Sequence, residues 1–131
     1  MIIYSVTISL EDSVFQDWKF WMQNQHIPQV LKTGYFSGYK MSLLVEPPPE
    51  TGTVTINIQY TCHSLAELKK YQEIEAPALQ ADHNQRYKDK FVAFRTILEE
   101  IEWFLYRFIL MVDKPTKIFL YISKIPNIGA D

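Results

Sequence analysis

The chain has 131 residues and a formal net charge of −2 at pH 7, with 47% hydrophobic and 15% aromatic residues. One globular domain is expected, burying roughly two-thirds of its unfolded surface, and a disordered chain is excluded. Acids and bases are mixed along the chain, which leaves no electrostatic footprint for nucleic acid, and the single Cys62 excludes an intramolecular disulfide or a thiolate zinc knuckle.

The chain opens on a strand. Ile2, Tyr4, Val6, Ile8 and Leu10 fall on one face, and Ile3, Ser5, Thr7 and Ser9 on the other. No basic segment precedes this alternation, so it does not read as a secretion signal, and a cytoplasmic protein is expected. Glu11, Asp12 and Ser13 supply a cap and first-turn acids for a helix carrying Val14, Trp18, Trp21 and Met22 at helical spacing, with Phe15 and Phe20 widening the stripe. Pro28 should interrupt it and push Ile27 out of helical geometry. A short helix from Pro28 to Thr33 then stops at Gly34.

A hairpin follows. Tyr35 to Val45 alternates loosely, Glu46 to Gly52 is a proline-rich loop, and Thr53 to Tyr60 returns with Val54, Ile56, Ile58 and Tyr60 on its apolar face. Ser64-Leu65-Ala66-Glu67 matches a capping box. The helix it opens carries Leu65, Leu68, Tyr71, Gln72, Leu79 and His83 along one side and is interrupted at Pro77. Phe91 to Leu98 reads as a fourth strand. This β-α-β, β-α-β order points to an α+β, ferredoxin-like sandwich: a four-stranded antiparallel sheet with helices on one face.

Several stretches resemble a small family of bacterial proteins described only as a domain of unknown function. They are Met1-Ile2-Ile3-Tyr4, Trp18 with Trp21-Met22, His26-Ile27-Pro28, Val30-Leu31, Thr33-Gly34-Tyr35-Phe36 and Gln59-Tyr60. The most specific stretch is His83 with Arg86-Tyr87 and Asp89-Lys90-Phe91-Val92-Ala93-Phe94-Arg95-Thr96. The resemblance covers residues 1 to about 98. It implies a ferredoxin-like fold of the kind that pairs into a dimeric α/β barrel, and no established reaction. Residues 99–131 are expected to form an extension packed on the domain or on a partner. Its apolar core, Trp103 to Val112, is broken by Arg107 and falls short of the roughly 18 to 20 residues that span a bilayer. No membrane span is expected.

The polar residues Ser5, Thr7, Thr55, Asn57 and Gln59 share a sheet face if the first and third strands are neighbours, and Arg95 is expected to join them. The apolar residues Ile3, Tyr39, Met41, Leu43 and Phe91 on that face would favour its burial against a second copy, making a homodimer. His26 and His83 are the candidate catalytic residues, because each lies near a helix-interrupting proline and histidine titrates near neutrality. The alternative for each is a structural hydrogen bond, with His26 capping the helix after Pro28. Arg86 and Arg95 are candidate anion ligands, since a guanidinium holds a carboxylate through two parallel bonds. Their alternative is an ion pair with Asp82, Asp89 or Glu99.

Trp18, Trp21 and Phe15 read as core or dimer contacts before ligand-stacking residues. No metal-ligand spacing, nucleophile elbow, phosphate loop or dinucleotide fingerprint is present, so neither metal nor cofactor is expected. Three functions fit these residues. The first is a homodimer binding a small aromatic or carboxylated metabolite between helices and sheet, through Trp18, His26, Tyr39, His83, Arg86 and Arg95. The second is a non-catalytic oligomerisation or protein-interaction module using the aromatic tail. The third, by analogy of fold, is a cofactor-independent monooxygenase or isomerase.

Overall fold

Strand β1 (Ile2–Glu11) runs through the middle of the sheet, where its inward residues Tyr4, Ile8 and Leu10 are almost completely enclosed. In this computed structural model, which describes residues 1–103, a short 3-10 turn (Asp12–Val14) leads from β1 into α1 (Phe15–Trp21). A π-turn (Met22–His26) joins α1 to α2 (Ile27–Lys32), making one continuous helical arm. Strands β2 (Phe36–Leu43) and β3 (Thr53–Cys62) form the hairpin. The second arm is α3 (Leu65–Ile74) and α4 (Ala76–Arg86), and β4 (Phe91–Glu99) completes the sheet. The strand order is β2-β3-β1-β4, with every pairing antiparallel. The chain is α+β and ferredoxin-like, as its element order predicts. The extension beyond residue 103 lies outside the described residues.

The two predicted helix interruptions are handled differently. Pro28 lacks an N–H, and its ring would press on the carbonyl one turn back. The π-turn removes that conflict by widening the helix. The Ile27 N–H bonds the Met22 carbonyl, five residues back, and Ile27 itself stays helical (φ −61°, ψ −45°), contrary to the expectation from its proline neighbour. His26 is helical too and makes no side-chain cap. In the second arm the chain restarts at Glu75, and Pro77 falls in the first turn of α4, where a missing N–H is tolerated. Ser64 caps α3 by accepting a bond from the Glu67 N–H at 3.2 Å. Gly34 ends α2 with φ +85°, a backbone conformation that disfavours a side chain.

Both arms cover one face of the sheet. Trp18, Met22, Ile27 and Val30 from the first arm, and Leu68 and Tyr71 from the second, meet the inward residues of β1 and β3. Two residues placed on the apolar stripes do not belong there: Phe20 is 70% exposed and Leu65 47% exposed. None of the helices among the described residues is long and apolar enough to cross a membrane.

The opposite face carries the predicted polar set. Ser5 pairs with Gln59, Thr7 with Asn57, and Ser9 with Thr55. Asn57 Nδ2 donates to both Ser5 Oγ (2.8 Å) and Thr7 Oγ1 (3.1 Å) across the strands. Arg95 is not part of this face. It pairs with Val6, and therefore points to the helix side, while Phe94 pairs with Thr7 and takes the open face. The same register moves Phe91 (opposite Leu10), Tyr39 (opposite Tyr60), Met41 (opposite Ile58) and Leu43 (opposite Ile56) to the helix side. Only Ile3 of the predicted apolar set stays on the open face, where Val92, Phe94 and Leu98 join it.

Candidate functional site

A cavity lies between the two helical arms and the sheet. Its floor is Val6, Ile8 and Ile58, inward residues of the two central strands. The π-turn contributes His26, α4 contributes Gln80 and His83, and β4 contributes Arg95. Tyr4, Tyr60 and Tyr71 line it as well. The space inside it, with the adjoining solvent at its open mouth included, comes to about 490 Å³. That is room for a few waters or one small ligand.

The two histidines sit together, with ring centroids 5.8 Å apart, and each is more than nine-tenths buried. His83 is fixed by its neighbours. The Trp18 indole N–H donates to His83 Nε2 at 2.9 Å, and the Phe91 ring packs edge-on at 4.4 Å. Trp21 lies over His26 at 4.9 Å. His26 Nδ1 is buried with no hydrogen-bond partner among the described residues.

Burial lowers the pKa of both rings to about 4. Asp82 works against this at His26, while Arg95 lowers both and His26 further lowers His83. Both imidazoles are neutral at pH 7. A ring with so low a pKa is a weak base, and its use at neutral pH lies in hydrogen bonding before proton abstraction.

Arg95 brings positive charge to the cavity. Among the described residues it has no carboxylate partner within salt-bridge distance. Its guanidinium lies beside the Tyr4 hydroxyl, together with Gln80 and Gln72, and all three favour the charged phenolate. Burial outweighs them and raises the Tyr4 pKa. Burial also raises those of Tyr60 and Tyr71. The phenols therefore stay protonated as donors, and Arg95 is the one charged side chain that lines the cavity among the described residues.

Of the six residues read as ligand-binding, the fold brings His26, His83 and Arg95 together around this cavity. Trp18 is fully enclosed behind His83 and touches it by hydrogen bond. Tyr39 lies outside the cavity lining, on edge strand β2, 41% exposed and beside Tyr60. Arg86 is on the outer surface of α4. There its Nε donates to the Tyr87 hydroxyl, its Nη2 lies 3.7 Å from Asp17, and its guanidinium covers the Trp21 ring at 5.3 Å.

Sequence reasoning missed Tyr4 and Gln80. Tyr4 was placed on the inward face of β1, yet its hydroxyl could have marked it, since an inward phenol needs a polar companion. Gln80, one residue after Leu79, carried no signal of its own. Cys62 is fully buried and His63 exposed, so the adjacent pair does not converge.

Residues 1–101 match the profile of a family described as a domain of unknown function, DUF4286. The chain belongs to this family. No curated protein matches it in sequence. Among solved structures, the DUF4286 domain is similar to an ethyl tert-butyl ether degradation (EthD) family protein from Bacillus halodurans. The identity is 17%, with a TM-score of 0.57 over 77% of this chain and 100% of that one. HapK from Hahella chejuensis is 13% identical, with a TM-score of 0.57 over 77% and 93% of the two chains. A dimeric ferredoxin-like protein from an uncultured marine organism is 13% identical, with a TM-score of 0.58 over 80% and 99%. At these identities the likeness is one of fold.

Proposed function

We propose that this DUF4286 protein is a homodimer that binds a small carboxylated metabolite, aliphatic or aromatic, in the cavity between helices and sheet. One observation carries this reading: Arg95, without a carboxylate partner among the described residues, stands at a cavity whose other polar groups are neutral. A guanidinium in that setting attracts an anion, and the ring-lined walls accept an apolar body behind it. A cytoplasmic setting accords with the lone buried thiol of Cys62.

The test is a thermal-shift screen of small carboxylates on wild type and Arg95→Gln. A ligand at 100 times its Kd should stabilise the wild type by about 2.7 kcal/mol. Arg95→Gln should weaken the same ligand by roughly tenfold to a hundredfold, since a hydrogen bond to a charged group is worth about 1.5–3 kcal/mol. Arg95 is exposed enough for the variant to fold normally. Equal binding by both proteins, or no shift from any carboxylate, would remove the proposal.

The dimer rests on the open sheet face. Val92 (71% exposed), Phe94 (62%) and Leu98 (48%) stand in a row on β4, beside Ile3 of β1. A row of large apolar side chains on one strand is what a partner surface covers. One structural neighbour is itself described as dimeric. Phe94→Glu should convert a dimer into a monomer at micromolar concentration, read by light scattering on a sizing column. A monomeric wild type, or a Phe94→Glu protein that stays dimeric, would contradict this assignment.

A further inference from the structure

Each of the two histidines that line the cavity has one ring nitrogen free to donate, and that follows from how the two rings are held. His83 Nε2 accepts the Trp18 N–H, so the neutral ring must carry its hydrogen on Nδ1. That Nδ1–H has no acceptor among the described residues, and His83 lines the cavity. His26 Nδ1 is buried without a partner. A hydrogen there would be an orphaned buried donor, the costlier arrangement, so His26 carries its hydrogen on Nε2.

The π-turn is the device that makes this arrangement possible. It inserts one extra residue into the first arm just where His26 must reach the cavity, and such turns concentrate at functional sites.

We propose that His26 and His83 act as a pair of neutral N–H donors beside Arg95, so that the cavity selects a carboxylate carrying a second acceptor oxygen, such as a 2-oxo acid. This deepens the proposed carboxylate binding and rests on it. Arg95 takes the carboxylate, and the two imidazole N–H groups serve the neighbouring carbonyl oxygen. No protonation accompanies binding. Burial, with Arg95 from β4, keeps both rings uncharged against the pull of Asp82 on α4, while Tyr4 of β1, Tyr60 of β3 and Tyr71 of α3 face the cavity as protonated phenols.

Two measurements decide it. Long-range ¹H–¹⁵N spectra of the ligand-free protein report the tautomer of each ring. The expected result is Nδ1–H at His83, Nε2–H at His26, and no imidazolium between pH 5.5 and 8. Titration with phenylpyruvate, phenylacetate and phenethylamine then reads selectivity. Phenylpyruvate should bind about tenfold or more tighter than phenylacetate, with a Kd flat across that pH range, and phenethylamine should not compete.

His26→Gln, which keeps a donor near the Nε2 position, should bind phenylpyruvate within about threefold of wild type, whereas His26→Phe should lose about tenfold. Opposite tautomers, or a Kd that weakens as pH rises through 6.5, would overturn the neutral-donor pair even if carboxylates still bind. If the tautomers are as stated and neither carboxylate binds at millimolar concentration, the 2-oxo-acid assignment falls together with the carboxylate reading beneath it.

Discussion

Trp18→Ala is expected to lower unfolding free energy by about 3–5 kcal/mol, the usual loss for a large buried aromatic. Trp18 is fully enclosed, stacks near Phe15 at 6.4 Å, and supplies the hydrogen bond to His83 Nε2. Its removal leaves a void under the first arm and strands an acceptor in the core. For a domain whose whole stability is of the order of 5–15 kcal/mol, that is about a fifth at the least. Trp18→Phe separates the two effects. It retains most of the volume but loses the bond, and should cost about 1–3 kcal/mol. Urea unfolding followed by far-ultraviolet circular dichroism gives both values. A Trp18→Ala loss below 1 kcal/mol would mean that this indole is not the anchor between helix and histidine.

The second large effect is acid lability set by the buried histidines. Unfolded, each imidazole titrates near 6.5; folded, burial holds each to about 4. Between these values the unfolded chain binds more protons than the folded one. The contribution of the neutral rings is therefore complete above pH 6.5 and is lost as pH falls toward 4. At about 1.4 kcal/mol per pH unit, one such ring accounts for up to about 3 kcal/mol by pH 4, and the adjacent pair does not simply add. Urea midpoints at pH 7.5 and 4.5 should fall more steeply for wild type than for His26→Phe, which has one fewer buried group to protonate. Parallel slopes would show that His26 does not titrate in this window.

These two expectations share a cause. The first arm is held to the second through Trp18 and the paired histidines, and the same contacts shape the cavity. A side chain that stabilises the fold by excluding water also sets the protonation state of its neighbour. Stability and the shape of the cavity wall depend on the same few residues: Trp18, Trp21, His26 and His83.

Much of this fold is legible in the sequence because its signals are local. The two-residue period of Ile2 to Leu10 and of Val54 to Tyr60, the Ser64–Glu67 cap and the glycine at 34 are written in neighbouring residues, and the structure follows them. The alternation of elements then leaves few topologies. The errors arise where the deciding information is not local. Phe20 and Leu65 fit an apolar stripe by spacing but face outward, because the width of the buried stripe is set by what the helix packs on. Pro28 reads as a helix break, yet a widened turn accommodates it.

The candidate site shows the same division. The residue types that could bind an anion or hold a proton, His26, His83, Arg86 and Arg95, stand out in the chain by chemistry alone. Their grouping does not. Strand register places Arg95 opposite Val6 and so on the helix side; a shift of one residue would have sent it to the open face and exchanged it with Phe94. Packing between the arms turns Arg86 outward to Asp17 and Trp21 while drawing His83 onto Trp18. The alternating strands β1 and β3 and the Ser64 cap of α3 were determined by the sequence itself, because period and local hydrogen bonding are properties of neighbours along the chain. Which strands adjoin and which side chains share the cavity was decided by tertiary structure alone, because residues as far apart as Trp18 and His83 define each other's surroundings only after they have been brought into contact.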